Sequence, residues 1–411
     1  MTAATEGLPL QTSAPGQPLA GLRVLEFGSL LAGPFCGQIL ADFGAEVIKC
    51  ELPGIGDPMR EWGRERANGN SLWWPIVARG KKSVTLNLRA PRGQDLVRDL
   101  VKQADIVIEN FRPGTMERWN LGWEELSSIN SRLIMTRVSG YGQTGPYAAR
   151  AGFGAIGEAM GGLRYVVGDP RTPPSRMGIS IGDSLAAMNA AIGTLVALQA
   201  REVTGRGQVV DSAIYEAVLG LMESLIPEYV FTGYIRERTG SILPNVAPSN
   251  IYESRDDKLI LIAANQDTVF ARLCEAMGRP ELAEDERFSS HSGRGANQAE
   301  LDALIGRWAA QMEAEPLLKL LHENGVPAGE TYRAPEMLND RHFAAREAII
   351  TVDHPDLGEF PMQNVVPKLS ETPGQVRWVG PRLGEHTDEV MHDLLGLSHE
   401  ELASLRTDGV I

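Results

Sequence analysis

Histidine is missing from the first 290 residues; all seven stand at or beyond His291. A Ser-His-Asp triad local to that stretch is thereby excluded, and no H-E-x-x-H zinc motif occurs. Cysteine is scarce too. Cys36, Cys50 and Cys274 form no C-x-x-C pair and have no histidine at metal spacing, so they read as reduced, buried thiols of a cytoplasmic protein. No run of about 18 apolar residues occurs, which argues against a membrane span. Positive charge is in deficit: 39 Lys and Arg face 53 Asp and Glu, a net charge of −14, which speaks against a nucleic-acid binder. Residues 1–18, rich in Thr, Ala, Gly and Pro, show no basic segment followed by an apolar block. They are expected to form a flexible tail rather than a signal peptide.

Two nucleotide motifs are also missing. After the first expected strand the glycines fall at 28, 33 and 37, which is not G-x-G-x-x-G, although Glu51 ends the next strand where a ribose-binding acid would stand. Gly80-Lys-Lys-Ser83 lacks the earlier glycine of a phosphate loop, since Pro75 occupies that position.

What is present is an alternation of strands and helices. Leu22–Phe27 predicts a strand, a Gly-rich turn and a helix to about Phe43 follow, and Ala45–Cys50 predicts the next strand. Ser83–Leu88, Asp105–Glu109 and Arg132–Val138 extend the pattern, with a helix over about Arg92–Lys102 and a long loop over Leu52–Asn70. This βαβ alternation implies a parallel sheet. Several of its strands run into glycine-rich or basic loops, and ligands of such sheets bind at the carboxyl ends of the strands. A small-residue apolar helix over Leu185–Gln199 and a second long helix from about Ala213 to Tyr229 come next. At 411 residues two domains are expected: 19–232 and 341–411 forming a large one, with 233–340 as a smaller one between.

One stretch concentrates the chemistry: Gly178-Ile-Ser-Ile-Gly182-Asp183-Ser184-Leu185. Asp183 stands just ahead of the apolar helix with bare backbone beside it. It reads as an N-cap or as a carboxylate kept ionised for nucleophilic or general-base work. A carboxylate attacking a thioester forms a mixed anhydride that keeps the acyl group activated, which a serine ester would not. Arg79, Lys81, Lys82, Arg89, Arg112 and Arg118 flank two strands and could meet a polyphosphate. Arg60 and Arg79 could also pair with the free carboxylate of a dicarboxylic acid, beside Trp62, Trp73 and Trp74 in the long loop.

Leu31-Ala-Gly-Pro34, Leu40–Lys49, Lys81-Lys-Ser83, Glu109-Asn-Phe-Arg-Pro-Gly114, Gly140–Pro146, Gly205–Asp211 and Leu383–Asp388 together resemble the class III CoA-transferases, a family that includes formyl-CoA transferase, carnitine CoA-transferase and α-methylacyl-CoA racemase. The resemblance runs from about Leu19 onward. It implies an α/β fold with a Rossmann-like large domain, a smaller α+β domain and an interlocked homodimer. It implies an enzyme that moves CoA from an acyl-CoA to a free carboxylic acid, with no permanently bound cofactor. The nucleophile falls on Asp183. The CoA-contacting positions fall on Leu31, Ala32, the Leu86–Arg89 segment including Arg89, Asn110, Phe111, Arg112, Arg118, Gly140 and Tyr141. Leu31 stands where formyl-CoA transferases carry glutamine, and Ile242–Asn250 holds no glycine in place of their tetraglycine loop. Both differences argue against oxalate as acceptor. Phe153 stands where the racemases carry a histidine base, which disfavours the alternative, an α-methylacyl-CoA racemase. A CoA-binding protein without catalysis is a third reading.

Overall fold

The computed structural model describes residues 16–411, so most of the expected tail lies outside the described residues. The chain divides into two compact units. One runs to Leu163, resumes over Gly178–Glu223 and closes with Ala345–Ile411; the other comprises Arg164–Met177 and Ser224–Ala344.

The first unit is built on six strands: β1 (Arg23–Glu26), β2 (Glu46–Glu51), β3 (Lys81–Thr85), β4 (Ile106–Glu109), β5 (Ile134–Ser139) and β6 (Val209–Ala213). All are parallel, in the order β3-β2-β1-β4-β5-β6, which is the doubly wound order with its switch point between β1 and β4. Val24 pairs with both Val47 and Ile106 across that point. The strands are apolar on both faces because both are covered. Leu25, Ile48, Val84, Val107 and Met135 share one core with Val390, Met391, Leu402 and Leu405 from the end of the chain. The alternate residues Val24, Val47, Ile106 and Ile134 face the other core, with α1 (Ala32–Asp42) and the alanines of a later 24-residue helix. Edge strand β3 is not left open. The Ser83 N–H meets Nδ1 of His386 at 3.2 Å, the His386 N–H meets the Ser83 carbonyl at 2.9 Å, and the Thr85 N–H meets Thr387 Oγ1 at 3.0 Å.

Between β3 and β4 runs α2 (Pro91–Val101), with Pro91 as its first residue. After β5 come α3 (Gly154–Met160) and α4 (Ile181–Thr204). Helix α4 buries Ala186, Ala187, Ala190, Ala191 and Ala197, which lets it lie close to α1 and the sheet. Among the described residues it is the one helix long and apolar enough, by length and composition, to cross a membrane. Ser184, Asn189, Gly193 and Thr194 interrupt its apolar run, so it is not the uninterrupted stretch of about 18 apolar residues sought in the sequence.

Two expectations need correcting. The long helix over Ala213–Tyr229 is two helices, α5 (Ile214–Leu219) and α6 (Leu225–Thr232). Pro227 has no N–H for an i−4 bond and its ring clashes with the preceding turn, so it fits only at the start of a new helix. Glu223, at φ 51°, marks the break. The long loop over Leu52–Asn70 contains a 3-10 turn, Pro58–Glu61, and a short hairpin, Arg66–Ala67 with Asn70–Ser71. Its Asn68-Gly69 turn has positive φ at both residues, the type I′ signature.

The second unit carries an antiparallel sheet of β7 (Ser249–Glu253), β8 (Leu259–Ala263) and β9 (Ala328–Glu330), with β8 central. Helices pack on it through Phe270, Leu273, Leu301, Ile305, Leu317 and Leu321.

Candidate active site

The switch point between β1 and β4 opens a crevice, and the loop leaving β1 forms one wall. That loop carries Leu31 as the N-cap of α1 and Ala32 as its first residue. Asn110, just past β4, grips it from the other wall: its Oδ1 accepts from the Ser29 N–H at 2.8 Å and its Nδ2 donates to the Ser29 carbonyl at 2.9 Å. Leu30 adopts φ 64°, costly for a leucine, and its N–H is held by both carboxylate oxygens of Asp57 at 3.0 and 3.2 Å.

Asp57 belongs to a buried charge cluster beneath the loop. Lys49 Nζ meets Asp57 at 2.8 Å, Glu26 at 3.1 Å and the Gly28 carbonyl at 2.8 Å. Lys81 Nζ meets Glu26 at 2.8 Å and the Pro34 carbonyl at 2.6 Å. Burial pulls both lysines down. For Lys81 it prevails over Glu26; for Lys49 the pull of Asp57 and Glu26 outweighs it and holds the ammonium above its usual range. The two carboxylates and two ammonium groups balance, and the carbonyls take further lysine protons, as buried ions require.

This changes the role expected for the basic residues. Lys81 lies in the cluster, buried Arg79 forms a bidentate pair with Asp42 at 2.9 and 2.7 Å, and Lys82 bridges Glu46 and Glu389. All three are occupied internally; β3 starts at Lys81, so Lys81 and Lys82 also sit toward the amino edge of the sheet. Arg60 likewise closes on Glu51 at 2.8 Å and stacks over Trp74. Neither Arg60 nor Arg79 is open to a dicarboxylate, and Glu51, bonded also to Ser83 Oγ at 2.6 Å, is closed to a ribose.

The remaining expected residues do line the carboxyl edge. A cavity of about 130 Å³ is bordered by Gly28, Cys50, Asn87, Arg89, Phe111 and Trp119. The Phe111 and Trp119 rings meet edge-on at 5.2 Å, and Arg89 is exposed at the rim. Burial pushes the Cys50 thiol up to about 12, so it is no nucleophile. Arg112 donates from Nε to the Ala149 carbonyl at 2.6 Å, and Arg118 donates to Thr115 Oγ1 at 2.8 Å; both are exposed. Gly140 follows β5 and lies against Gly152, over which the Tyr141 ring also packs. A larger cavity, about 460 Å³, opens at the amino edge beside Arg23, Glu46, Lys82 and Arg377. Arg23, Glu46 and Lys82 are paired with one another there.

Asp183 is not an N-cap. Helix α4 begins at Ile181 with Ser180 as its cap residue, and Asp183 is its third residue. The helix starts earlier than expected because Glu158 on α3 supplies an acceptor: its Oε1 lies 3.4 Å from the Gly182 N–H. The Asp183 carboxylate occupies the space beside Gly154, the first residue of α3. A Cβ there would lie 2.4 Å from Oδ2. Phe153 precedes it as the cap residue of α3 with its side chain 67% exposed. Sequence reasoning missed Gly154 and Glu158. The available signal was the spacing of Gly154, Gly157 and Gly161, which puts three glycines on one helix face and announces close packing. Gly157 and Gly161 indeed lie against Ile214 and Val218 of α5.

A half-buried carboxylate in the first turn of a helix sits at the positive end of the helix dipole. The dipole of a helix favours the charged form of an acid so placed, and N–H groups of a helix's first turn can receive an oxyanion. Comparison with known proteins identifies the family. The family model described as CoA-transferase family III matches residues 19–387. A succinyl-CoA–D-citramalate CoA-transferase of Chloroflexus aurantiacus is 62% identical over 98% of this chain and 100% of its own length. The beta subunit of a succinyl-CoA–L-malate CoA-transferase from the same organism is 43% identical over 96% of this chain and 98% of its own. The crystal structure of a CAIB/BAIF family protein from Brucella suis superposes with a TM-score of 0.83 at 35% identity, covering 92% of this chain and all of that one. The chain belongs to CoA-transferase family III and is an enzyme that moves CoA from an acyl-CoA thioester to a free carboxylic acid.

Proposed function

We propose that the enzyme transfers CoA from succinyl-CoA to a hydroxylated dicarboxylic acid of the citramalate or malate class, with Asp183 as the nucleophile. The observation that carries this reading is the carboxylate of Asp183 seated in the first turn of α4, beside a glycine where a side chain would displace it. The substrate class comes from the relatives, two of which are named for succinyl-CoA paired with such acids.

An Asp183 oxygen attacks the thioester carbonyl, the C–S bond breaks and CoA leaves as thiolate, leaving a succinyl–aspartyl anhydride. The acceptor carboxylate then attacks the aspartyl carbonyl and expels succinate, giving a second anhydride. The CoA thiolate attacks the acceptor's carbonyl, forms the new thioester and frees Asp183. No step consumes water or loses acyl activation. Leu31, Ala32, Arg89, Asn110 and Phe111 at the crevice, with Arg112, Arg118, Gly140 and Tyr141 beyond it, hold CoA in this reading. Phe153 offers no proton-transferring group, which disfavours racemisation.

The reading includes a cytoplasmic homodimer. In its support, α4 exposes Ile192, Val196 and Val203, and α6 exposes Val230 and Phe231, apolar side chains of the kind a partner chain covers. The three cysteines are unpaired and buried, as in a reducing compartment. Light scattering should give twice the 44.6 kDa chain mass.

The deciding experiment is incubation with succinyl-CoA followed by hydroxylamine and peptide mapping. A hydroxamate at Asp183 is expected; an untagged Asp183 overturns the mechanism. Chromatography of CoA esters over a panel of citramalate, malate, glutarate and oxalate assigns the acceptor.

A further inference from the structure

Two glycines and two carboxylates interlock where α3 meets α4. The Asp183 carboxylate, from α4, lies on Gly154 of α3. One turn further along α3, the Glu158 side chain lies on Gly182 of α4: its Cγ would be 3.0 Å from a Cβ at that glycine, and its Oε1 faces the Gly182 N–H. A Cβ at Gly182 would also come within 2.9 Å of the Gly154 carbonyl. Neither glycine has the positive φ that excludes other residues. What each position requires is the missing side chain, because the partner helix's carboxylate fills that space.

Helix α4 needs this help. Ser180 makes no side-chain cap bond, so the Gly182 N–H would be an orphan donor without Glu158. Glu158 is only 3% exposed, and a buried carboxylate is costly unless its charge is used. Its location satisfies a donor in the very turn that carries Asp183.

We propose that Gly154 and Glu158 are positioning residues for Asp183. Glu158 fixes the first turn of α4, and bare Gly154 admits the Asp183 carboxylate in one orientation. The inference rests on the reading of Asp183 as nucleophile.

Gly154→Ala tests it directly. The backbone accepts alanine, and the methyl group meets only the Asp183 carboxylate within 3 Å. kcat should fall about a hundredfold, as for a nucleophile displaced by about an ångström. CoA affinity and Tm should hold, while hydroxamate formation at Asp183 falls in step with kcat. Glu158→Leu should cost about thirtyfold in kcat with KM for succinyl-CoA nearly unchanged. Glu158→Gln, whose amide oxygen still accepts from Gly182, should recover most of that loss. The inference is overturned if Gly154→Ala keeps kcat within about threefold of the parent, or if kcat, CoA affinity and Tm all fall together. Should Glu158→Leu fail to fold, Gly154→Ala decides alone. The parent enzyme separates the two ideas: an untagged Asp183 there breaks the nucleophile assignment, whereas normal tagging in both parent and Gly154→Ala breaks only the lock.

Discussion

Around the loop after β1, four charged side chains meet in the interior; where α3 meets α4, a glycine of each helix lies against a carboxylate of the other. Glu26, Lys49, Lys81 and Asp57 hold the crevice by attraction between groups drawn from three strands and a loop. Where α3 meets α4 shape is also in play, since each helix leaves room for the other's acid. A charge framework tolerates small changes of volume but not the loss of one partner. A shape framework behaves the other way, so the two parts should fail differently when mutated.

Asp183→Ala should give the largest effect: a loss of exchange activity on the order of 10⁴-fold or more, with CoA binding and Tm retained. Steady-state kinetics beside calorimetric CoA titration check it, and a joint loss of activity and CoA binding would merge the two regions. Glu26→Gln should destabilise the protein by about 3–5 kcal/mol, because buried Lys81 then loses its carboxylate partner while Asp57 pairs with Lys49. Urea denaturation measures this. Asn110→Ala removes two hydrogen bonds to the loop after β1 and should weaken CoA binding about tenfold, at roughly 1 kcal/mol or slightly more, while the Asp183 tag still forms at saturating succinyl-CoA.

The smallest effect concerns His386, whose pKa burial holds below its ordinary value and whose Nδ1 must stay unprotonated to accept from Ser83. Between its folded pKa and about 6.5 the unfolded chain binds the extra proton, so stability should fall as pH drops through that window. His386→Asn should flatten the Tm profile between about pH 7 and 5. An unchanged slope would remove His386 from the account.

The strand pattern and the loops at strand ends were legible because they depend on local periodicity and on glycine and proline chemistry. Asn110 and Phe111 directly follow β4 and Leu31 ends the Gly-rich turn after β1, so the loops at strand ends carried them; β1 and β4 flank the switch point, and Phe111 borders the cavity. Lys81 and Arg79 were misjudged for the opposite reason. Nothing within a few residues announces Glu26, 55 positions away, or Asp42, 37 away, so buried cations look like surface ones. The start of α4 was misplaced because the N–H of its second residue, Gly182, is met by Glu158, 24 residues earlier, rather than by a local cap. Pro227 and Asn68-Gly69 were different: their local chemistry was readable, and longer-period patterns obscured it.

The seal on β3 has a consequence for biosynthesis. The strand lies in the first quarter of the chain, yet His386 and Thr387, which close its outer edge, follow about 300 residues later. At about 5–20 residues per second, a ribosome takes roughly 15 to 60 s to make that stretch. For that time the nascent sheet shows an unpaired edge beside the segment that carries Arg89. The part of the enzyme begun first is therefore among the last to be finished, and it is most open to mispairing while the second unit is still being made.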